Sequence, residues 1–283
     1  MEMVAAARLR RAEQRIEALR PYAQAIRKMT KQVAEAAPWK VEGVTLLAER
    51  EDPKNIGVLL VTGDRGLAGS FNTQIIREGL RLKREFQEGG TSTVYSVVGR
   101  RGASTMNFRG EDVENTYVGF TDRPAFADAR EISRTLVAAF IDGKVDQVDI
   151  VYNRFVSPLT QYVRRQRLLP LNQADVFGEG IEKEPDTENS DLAEAHTRAL
   201  WVYEPDAEQI LQQLFEEYVD LSIYRALLES AASEHGARMT AMRNAAENAD
   251  EMIDRLTLEM NRVRQAEITQ EILEVVAGAE ALG

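Results

Sequence analysis

The sequence predicts an α/β protein in which an antiparallel coiled coil of the N- and C-terminal helices is joined to a Rossmann-like, mostly parallel α/β body. Residues 206–283 contain no proline, and as one helix they span on the order of 110 Å. The N-terminal segment carries a matching helical pattern, and the middle alternates strand-like with helix-like segments. We therefore assign residues 1–50 and 206–283 to a coiled-coil shaft and residues 51–205 to the body.

The N-terminal segment has an apolar seam with steps of three and four residues, which places its side chains on one helix face. Thr30 is the one polar member of the seam. Pro21 lies inside the predicted helix, where we expect it to kink or loosen one turn. The seam comprises Leu9, Ala12, Ile16, Leu19, Ala23, Ile26, Thr30 and Val33.

The C-terminal segment has a heptad seam of its own, which predicts a left-handed supercoil. Its members are Met239, Met242, Ala246, Ala249, Ile253, Leu256, Met260 and Val263. The pattern breaks at Glu267 and Gln270, and the apolar face then rotates to Ile268, Ile272, Val275, Val276 and Ala279. Since a rod of this length cannot bury itself, it requires a partner helix or another subunit.

Charge favours pairing of the two terminal segments. Residues 1–50 carry more basic than acidic side chains, whereas residues 206–283 carry 16 acidic and 6 basic ones. Opposite charge fixes partner choice more than stability, because exposed ion pairs are weak. Glu234 with Arg238, and Glu251 with Arg255, have the favourable spacing within one helix. We expect most of these charges to lie on a solvated face.

The middle of the chain predicts a buried sheet, because continuous apolar runs are typical of strands covered on both faces. The predicted strands are Ile56–Thr62, Val94–Val98 and Val148–Tyr152, with possible edge strands Arg167–Leu171 and Leu200–Tyr203. The predicted helices are Phe71–Gln87 and residues 125–141. Residues 172–198 carry eight acidic side chains and are predicted to form a surface loop.

A glycine-rich turn follows the first predicted strand, with Gly63, Gly66 and Gly69 at equal spacing. This differs from the dinucleotide fingerprint G-x-G-x-x-G and from a phosphate-binding P-loop. Asp64 would repel a pyrophosphate, although Arg65 offsets that charge. Three interpretations stay open: a nucleotide site, a tight turn that needs residues without Cβ, and a loop that touches a neighbouring protein.

Composition excludes several function classes. The net charge of −11 argues against non-specific nucleic-acid binding, and the absence of cysteine excludes disulfides and thiolate metal sites. No apolar run is long enough to span a membrane, and no signal peptide is visible. The two histidines, His196 and His235, suggest no nucleophile–base pair. We therefore predict no catalytic residues, no metal and no cofactor.

Several motifs together resemble the γ subunit family of F-type ATP synthases over essentially the whole chain. The final motif contains the family signature, and Val98–Asn107 and Val118–Asp122 resemble the actinobacterial branch. The principal motifs are Met1–Arg11, Arg20–Tyr22, Thr62–Asn72 and Arg264–Leu282.

The resemblance implies a central-stalk rotor subunit that performs no chemistry itself. In this family the coiled coil stands inside an α3β3 hexamer, and the body contacts the ε subunit and the c-ring. Proton flow turns ring and stalk together, and rotation drives the catalytic β subunits through their states. The resemblance places the protein at the cytoplasmic face of a bacterial cell membrane, held there peripherally. A nucleotide-binding α/β protein and a self-associating coiled-coil scaffold are the alternatives.

The resemblance also implies contacts with partner subunits. It places Arg264, Gln265, Thr269 and Glu271 against β on the upper shaft, and Met1 and Arg8 where the N-terminal helix crosses that segment. The turn containing Asp64, Arg65 and Ala68 is similar to a family loop that faces an acidic β segment. Family chains usually begin roughly twenty residues before the equivalent of Met1. If that stretch is absent, we expect the face of Ile268–Ala279 to fray.

Overall fold

The computed structural model describes residues 1–36, 45–50, 52–172 and 207–280. Within these ranges, long terminal helices enclose an alternating series of strands and helices. The elements are α1 (Glu2–Ala36), a short 3-10 helix (Thr45–Leu47), β1 (Asn55–Val61), α2 (Phe71–Glu88), β2 (Ser92–Val98), α3 (Arg100–Phe108), β3 (Val113–Tyr117), α4 (Phe126–Ile141), β4 (Gln147–Phe155), β5 (Gln161–Leu169) and α5 (Ala207–Glu280).

The sheet has the order β3-β2-β1-β4-β5. Strands β1, β2, β3 and β4 run parallel, and β5 is an antiparallel edge strand paired with β4. The chain order reverses between β1 and β4. In parallel α/β sheets the crevice at such a reversal, beyond the carboxyl ends of the strands, is the usual ligand position.

Both faces of the sheet are covered, which explains the continuous apolar run in β1. Val58 and Leu60 pack on one face with the core residues of α2 and α3. Leu59 and Val61 pack on the other face with α4 and α5. Because adjacent side chains of a strand point to opposite faces, a strand covered on both sides needs apolar residues throughout.

Helix α1 lies antiparallel to α5. Glu2 pairs with Arg243 near one end, and Tyr22 donates to the Glu217 carboxylate near the other. The predicted N-terminal seam faces inward, since its members are buried or half-buried. Thr30 is fully buried and satisfies its hydroxyl by donating to the carbonyl of Ile26 at 2.9 Å. The helix continues through Pro21, which lies on its exposed side.

Helix α5 consists of two unlike parts, which we call the lower segment (residues 211–242) and the upper segment (residues 243–279). The lower segment packs against the sheet, α4 and α1, and Leu211, Phe215 and Val219 are fully buried. In the upper segment every side chain is exposed except the half-buried Asn261.

This division limits the predicted pairing of the seams. We predicted that the C-terminal seam needs a partner helix or another subunit, and among the described residues the cover by α1 ends near Arg243. An antiparallel helix of 35 residues that is anchored beside Glu217 reaches only about that far. Domain boundaries after residues 50 and 205 stay a prediction, and Leu46 and Leu211 lie in the core shared with the sheet.

The predicted elements of the body agree with the structure, with two omissions. The three central strands, the edge strand before residue 171 and both predicted helices are confirmed with shifted ends. Helix α3 and strand β3 had not been predicted. The predicted strand Leu200–Tyr203 and nearly all of the acidic stretch 172–198 lie outside the described residues.

Candidate functional site

The candidate site is the edge of the sheet where β1 ends and the two terminal helices leave the body. Residues 63–69, which we call the glycine loop, connect β1 to α2 at this edge. Gly63 donates its N–H to the side-chain oxygen of Asn72 at 2.8 Å, which ties the loop to the start of α2. The loop therefore occupies the crevice where the strand order reverses.

Asp64 holds the glycine loop against the next two connections of the body. Its carboxylate accepts hydrogen bonds from the backbone N–H groups of Arg100 at 3.0 Å and Gly119 at 2.8 Å. It also accepts from the Thr121 hydroxyl at 3.1 Å. A carboxylate with several internal donors is fixed in place, so Asp64 positions the loop, and its contact with a partner stays a prediction.

The backbone of the loop explains part of its glycine content. Gly69 has a φ of +55°, a conformation that is strained for side chains with a Cβ. Leu67 adopts a similar φ of 63°, and its side chain is 64% exposed at the loop surface. Leu67 therefore combines a strained conformation, which is typical of functional sites, with an exposed apolar side chain.

A buried ion pair of α5 lies directly behind the loop. The Arg238 guanidinium pairs with the Glu234 carboxylate, and the two side chains are 7% and 2% exposed. Arg238 also donates to the carbonyl of Gly66 at 3.3 Å. Burial raises the pKa of Glu234, and the Arg238 charge partly opposes that rise. We had expected this pair on a solvated face, which is wrong, whereas Glu251 and Arg255 are indeed exposed.

This arrangement disfavours the nucleotide-binding alternative. A Cβ built on Gly63 would lie 2.7 Å from the carboxyl carbon of Glu234. The close approach that a dinucleotide fold reserves for a pyrophosphate is here made to a side-chain carboxylate. A phosphate placed against Gly63 would meet that acidic group. The close approach accounts for glycine at position 63 without any ligand.

Asp122 collects basic groups from the two terminal helices and the glycine loop. Its carboxylate pairs with Arg8 of α1 and, at 3.5 Å, with Arg65 of the loop. The ring of His235 lies within 4.0 Å of the same carboxylate. Burial lowers the pKa of His235, although the neighbouring Asp122 charge acts in the opposite direction.

An arginine-rich cavity of about 460 Å³ opens beside Asp122. Its polar wall is predominantly basic, and Leu228 and Ala231 of α5 form the apolar floor. The arginines that line it are Arg8, Arg11, Arg15 and Arg123. This part of the surface is strongly cationic although the chain as a whole is acidic, so it is suited to an acidic partner.

The predicted contact residues fall into two groups. Met1, Arg8 and Arg65 line one opening of about 390 Å³ at the loop, and Met1 is 72% exposed. Ala68 had been predicted to face a partner, but it is only 2% exposed because it packs in the core with α2. Its side chain therefore offers no contact surface.

Arg264, Gln265, Thr269 and Glu271 form the second group and lie exposed on the upper segment of α5. The prediction that α1 crosses them at Met1 is wrong for the described chain. The start of α1 lies beside Arg243, which is about 30 Å below Arg264 along the helix. The two groups therefore mark separate surfaces.

Three other residues of this site were not predicted as functional, although Thr121 and Asp122 end one of the motifs that carry the family resemblance. Asp122 and Thr121 follow β3, a strand that had not been predicted, so their proximity to Asp64 was not foreseeable. His235 had been noted only as an isolated histidine of the long helix. One helix face carries the polar residues Ser230, Ser233, Glu234 and Arg238. This pattern is the one feature of the sequence that indicated a polar contact there.

Comparison with known proteins identifies the family. A family profile described as ATP synthase matches residues 1–282. The ATP synthase gamma chain of Rubrobacter xylanophilus is 42% identical and covers all of this chain and 91% of its own length. That of Kineococcus radiotolerans is also 42% identical, over 100% of this chain and 90% of the relative. The chain belongs to the ATP synthase gamma chain family.

Two solved structures of mitochondrial ATP synthases contain chains with a similar fold. A chain of the Tetrahymena thermophila mitochondrial ATP synthase central stalk and c-ring is similar with a TM-score of 0.61 at 28% identity, over 87% of this chain and 97% of that one. A chain from the Euglena gracilis mitochondrial enzyme shares the fold with a TM-score of 0.59 at 17% identity. That match covers 98% of this chain and 95% of the Euglena chain. The predicted family, including its likeness to actinobacterial members, and the predicted fold class are confirmed. Gamma chains are non-catalytic subunits, as predicted.

Proposed function

We propose that this protein is the rotating central stalk of an F1Fo ATP synthase and transmits rotation of the c-ring to the catalytic β subunits. The observation that carries the proposal is α5, one helix of 74 residues whose lower segment is anchored in the body core and whose upper segment is exposed. The Tetrahymena relative in the central stalk of its enzyme supports the same role.

The upper segment is suited to enclosure by other subunits. Large apolar residues such as Leu256, Met260 and Val276 are more than half exposed on it. Contiguous exposed apolar surface marks protein interaction sites, and a single uncovered helix is marginal in water. Here the α3β3 hexamer supplies the cover, and Arg264, Gln265, Thr269 and Glu271 contact β.

The stalk acts by differential binding. A rotating element shifts β between conformations only if its sides interact unequally with those conformations. The upper segment has such unequal sides, because its apolar face changes direction after Val263, where Glu267 and Gln270 interrupt the seam. No bond is made or broken by the stalk itself.

The body completes the link to the membrane sector by contacts with ε and the c-ring. Arg65 of the glycine loop faces an acidic segment of β, and the cationic cavity beside Asp122, which Arg8 lines, supports an acidic partner at this edge of the body. None of the described helices is both long and apolar enough to cross a bilayer. We propose that the protein is held peripherally at the cytoplasmic face of a bacterial cell membrane through the assembled complex.

The test is purification of the complex under mild conditions, followed by observation of rotation. We expect the chain to purify with three copies each of two large nucleotide-binding subunits, and a bead fixed to the body to rotate in one direction when ATP is added. A homodimer alone would favour the scaffold alternative. Saturable binding of ATP or NAD that Gly63→Ala abolishes would favour the nucleotide-binding alternative.

A further inference from the structure

Helix α5 leaves the body between Glu234 and Arg243, and we call this part of the helix the neck. Glu234 is 1% exposed as a residue and Arg238 is 6% exposed, whereas residues 243–260 are all exposed. All force exchanged between stalk and body passes this level. The contacts at the neck are therefore the last ones that the body makes with α5 before its exposed upper segment.

The glycine loop touches one face of α5 over two helical turns. Gly63 approaches the Glu234 carboxylate, and the Gly66 carbonyl accepts from Arg238. A Cβ placed on Gly69 would lie 3.9 Å from the Ala241 methyl group, so Gly69 faces the same side of the helix. The helix positions 234, 238 and 241 have the spacing of one helix face. The loop is therefore aligned along the helix axis.

Further polar contacts continue this alignment below the loop. The Ser233 hydroxyl donates to the carbonyl of Asn153 in β4 at 3.1 Å. The Ser230 hydroxyl donates to the carbonyl of Val61 in β1 at 3.4 Å. Both strands flank the point where the order of the sheet reverses, so α5 is bound to the carboxyl ends of the two central strands.

Directional contacts resist rotation of a helix better than apolar packing does. Apolar burial depends on area and has no preferred direction, whereas hydrogen bonds weaken steeply when their angles change. A buried ion pair contributes little net stability compared with apolar residues of the same shape. Its presence at the neck is better explained by a requirement for one defined orientation.

We propose that Glu234 and Arg238 are positioning residues that fix the rotational angle of the stalk against the body and carry torque between the two. Asp64 holds the loop to the body, and Asp122 holds α1 through Arg8 at the same level. The pair thus joins the stalk to the carboxyl edge of the sheet. This inference rests on the proposed function, since torque has meaning only in a rotor.

The test uses the assembled complex and a charge-free variant, Glu234→Gln/Arg238→Met. The matched control is Glu229→Gln/Arg225→Met, which removes another ion pair of the same spacing in the same helix, below the neck. Because the chain has no cysteine, spin labels at Phe108→Cys on the body and Met252→Cys on the stalk are unambiguous. Pulsed paramagnetic resonance then reports the distribution of distances between body and stalk.

We expect the neck variant to broaden this distribution beyond the spread of repeat measurements, while the control does not. In vesicles, we expect the neck variant to hydrolyse ATP at close to the parental rate but to pump fewer protons per ATP than the parent and the control. If the double variant does not assemble, Gly63→Ala displaces Glu234 with both charges kept and is compared in the same way.

Two results distinguish a failure of this inference from a failure of the proposed function. If the parent complex pumps and the neck variants match the control in distance distribution and pumping, the inference is overturned while the proposed function stands. If the parent chain joins no complex, the proposed function fails. The distance distribution of the full chain alone then decides whether the pair fixes the angle.

Discussion

The two segments of α5 have similar apolar residues and opposite surroundings. In the lower segment Phe215, Val219 and Ile223 are fully buried by the body. In the upper segment Ile253, Leu256 and Val263 follow an equally regular seam and are more than half exposed. A periodic apolar seam therefore predicts that a helix face needs cover, but it does not indicate which chain supplies the cover.

The largest expected difference between the segments is in amide hydrogen exchange of the isolated chain. Amides of the lower segment open only with the core, whereas an uncovered helix opens readily, so we expect exchange in residues 245–276 to be faster by at least about a thousandfold. Mass spectrometry of peptic fragments measures this ratio. Equal protection of both segments would mean that the upper segment is covered in the free chain.

A pair of truncations sharpens the comparison in terms of stability. Phe215→Ala leaves a cavity in the core, and we expect it to lower the free energy of unfolding by roughly 3–5 kcal/mol. Ile253→Ala in the upper segment, with a side chain that is 59% exposed, should change it by less than about 0.5 kcal/mol. Urea unfolding followed by near-ultraviolet circular dichroism measures both. Comparable losses would contradict the division of α5.

The lower segment also contains a buried histidine, which should make stability depend on pH. Because the folded pKa of His235 lies below its ordinary value of 6.5, the folded state binds fewer protons than the unfolded state below that pH. Stability therefore falls on acidification, by at most about 1.4 kcal/mol per pH unit. We expect His235→Gln to flatten this dependence in urea unfolding at about pH 5 to 7.

Glu234 provides a control, because its titration should change stability with pH in the direction opposite to that of His235. Its folded pKa is raised above the ordinary 4.5, so acidification through that window relieves the cost of burying its charge and increases stability. Removing His235 and removing Glu234 should therefore tilt the pH profile in opposite directions. Identical slopes for parent and His235→Gln would show that the histidine does not titrate differently in the two states.

The smallest expected effect is at Tyr22, whose contact lies at the solvent-exposed side of the helix pair. The hydrogen bond to Glu217 is the main cause that raises the pKa of Tyr22 to about 12. Its stabilisation is present below pH 10 and is lost as pH rises towards 12. We expect Tyr22→Phe to cost at most about 1 kcal/mol at neutral pH. Spectrophotometric titration should show one late-titrating tyrosine fewer, and an unchanged titration would exclude this bond.

Most of the fold was predictable because its elements have strong local patterns. Strand β1 is covered on both faces and is apolar almost throughout, β2 and β4 contain shorter apolar runs, and α5 is long and free of proline. Helix α3 was missed because only Ala103 and Met106 of its nine residues provide buried apolar side chains. Strand β3 was missed because its residues alternate between half-buried and exposed without a large apolar set.

The site was less predictable, since it depends on which distant residues meet. The spacing of Glu234 and Arg238 indicated an ion pair but gave no sign of burial, which comes from the glycine loop more than 160 residues earlier in the chain. The family resemblance placed Ala68 at a partner contact, yet its methyl group is buried in the core. Local pattern identifies side-chain chemistry, whereas burial depends on the tertiary fold.

The position of α5 at the end of the chain has a consequence for biosynthesis. Leu59, Val61 and Ile150 share one core with Leu211, Phe215 and Ile223, so this face of the sheet is covered only in part, by α4, until α5 is made. At about 5–20 residues per second, translation of its 74 residues takes roughly 4–15 s. During that time the nascent chain exposes an apolar sheet surface, and chaperones that bind such surfaces have their best opportunity there.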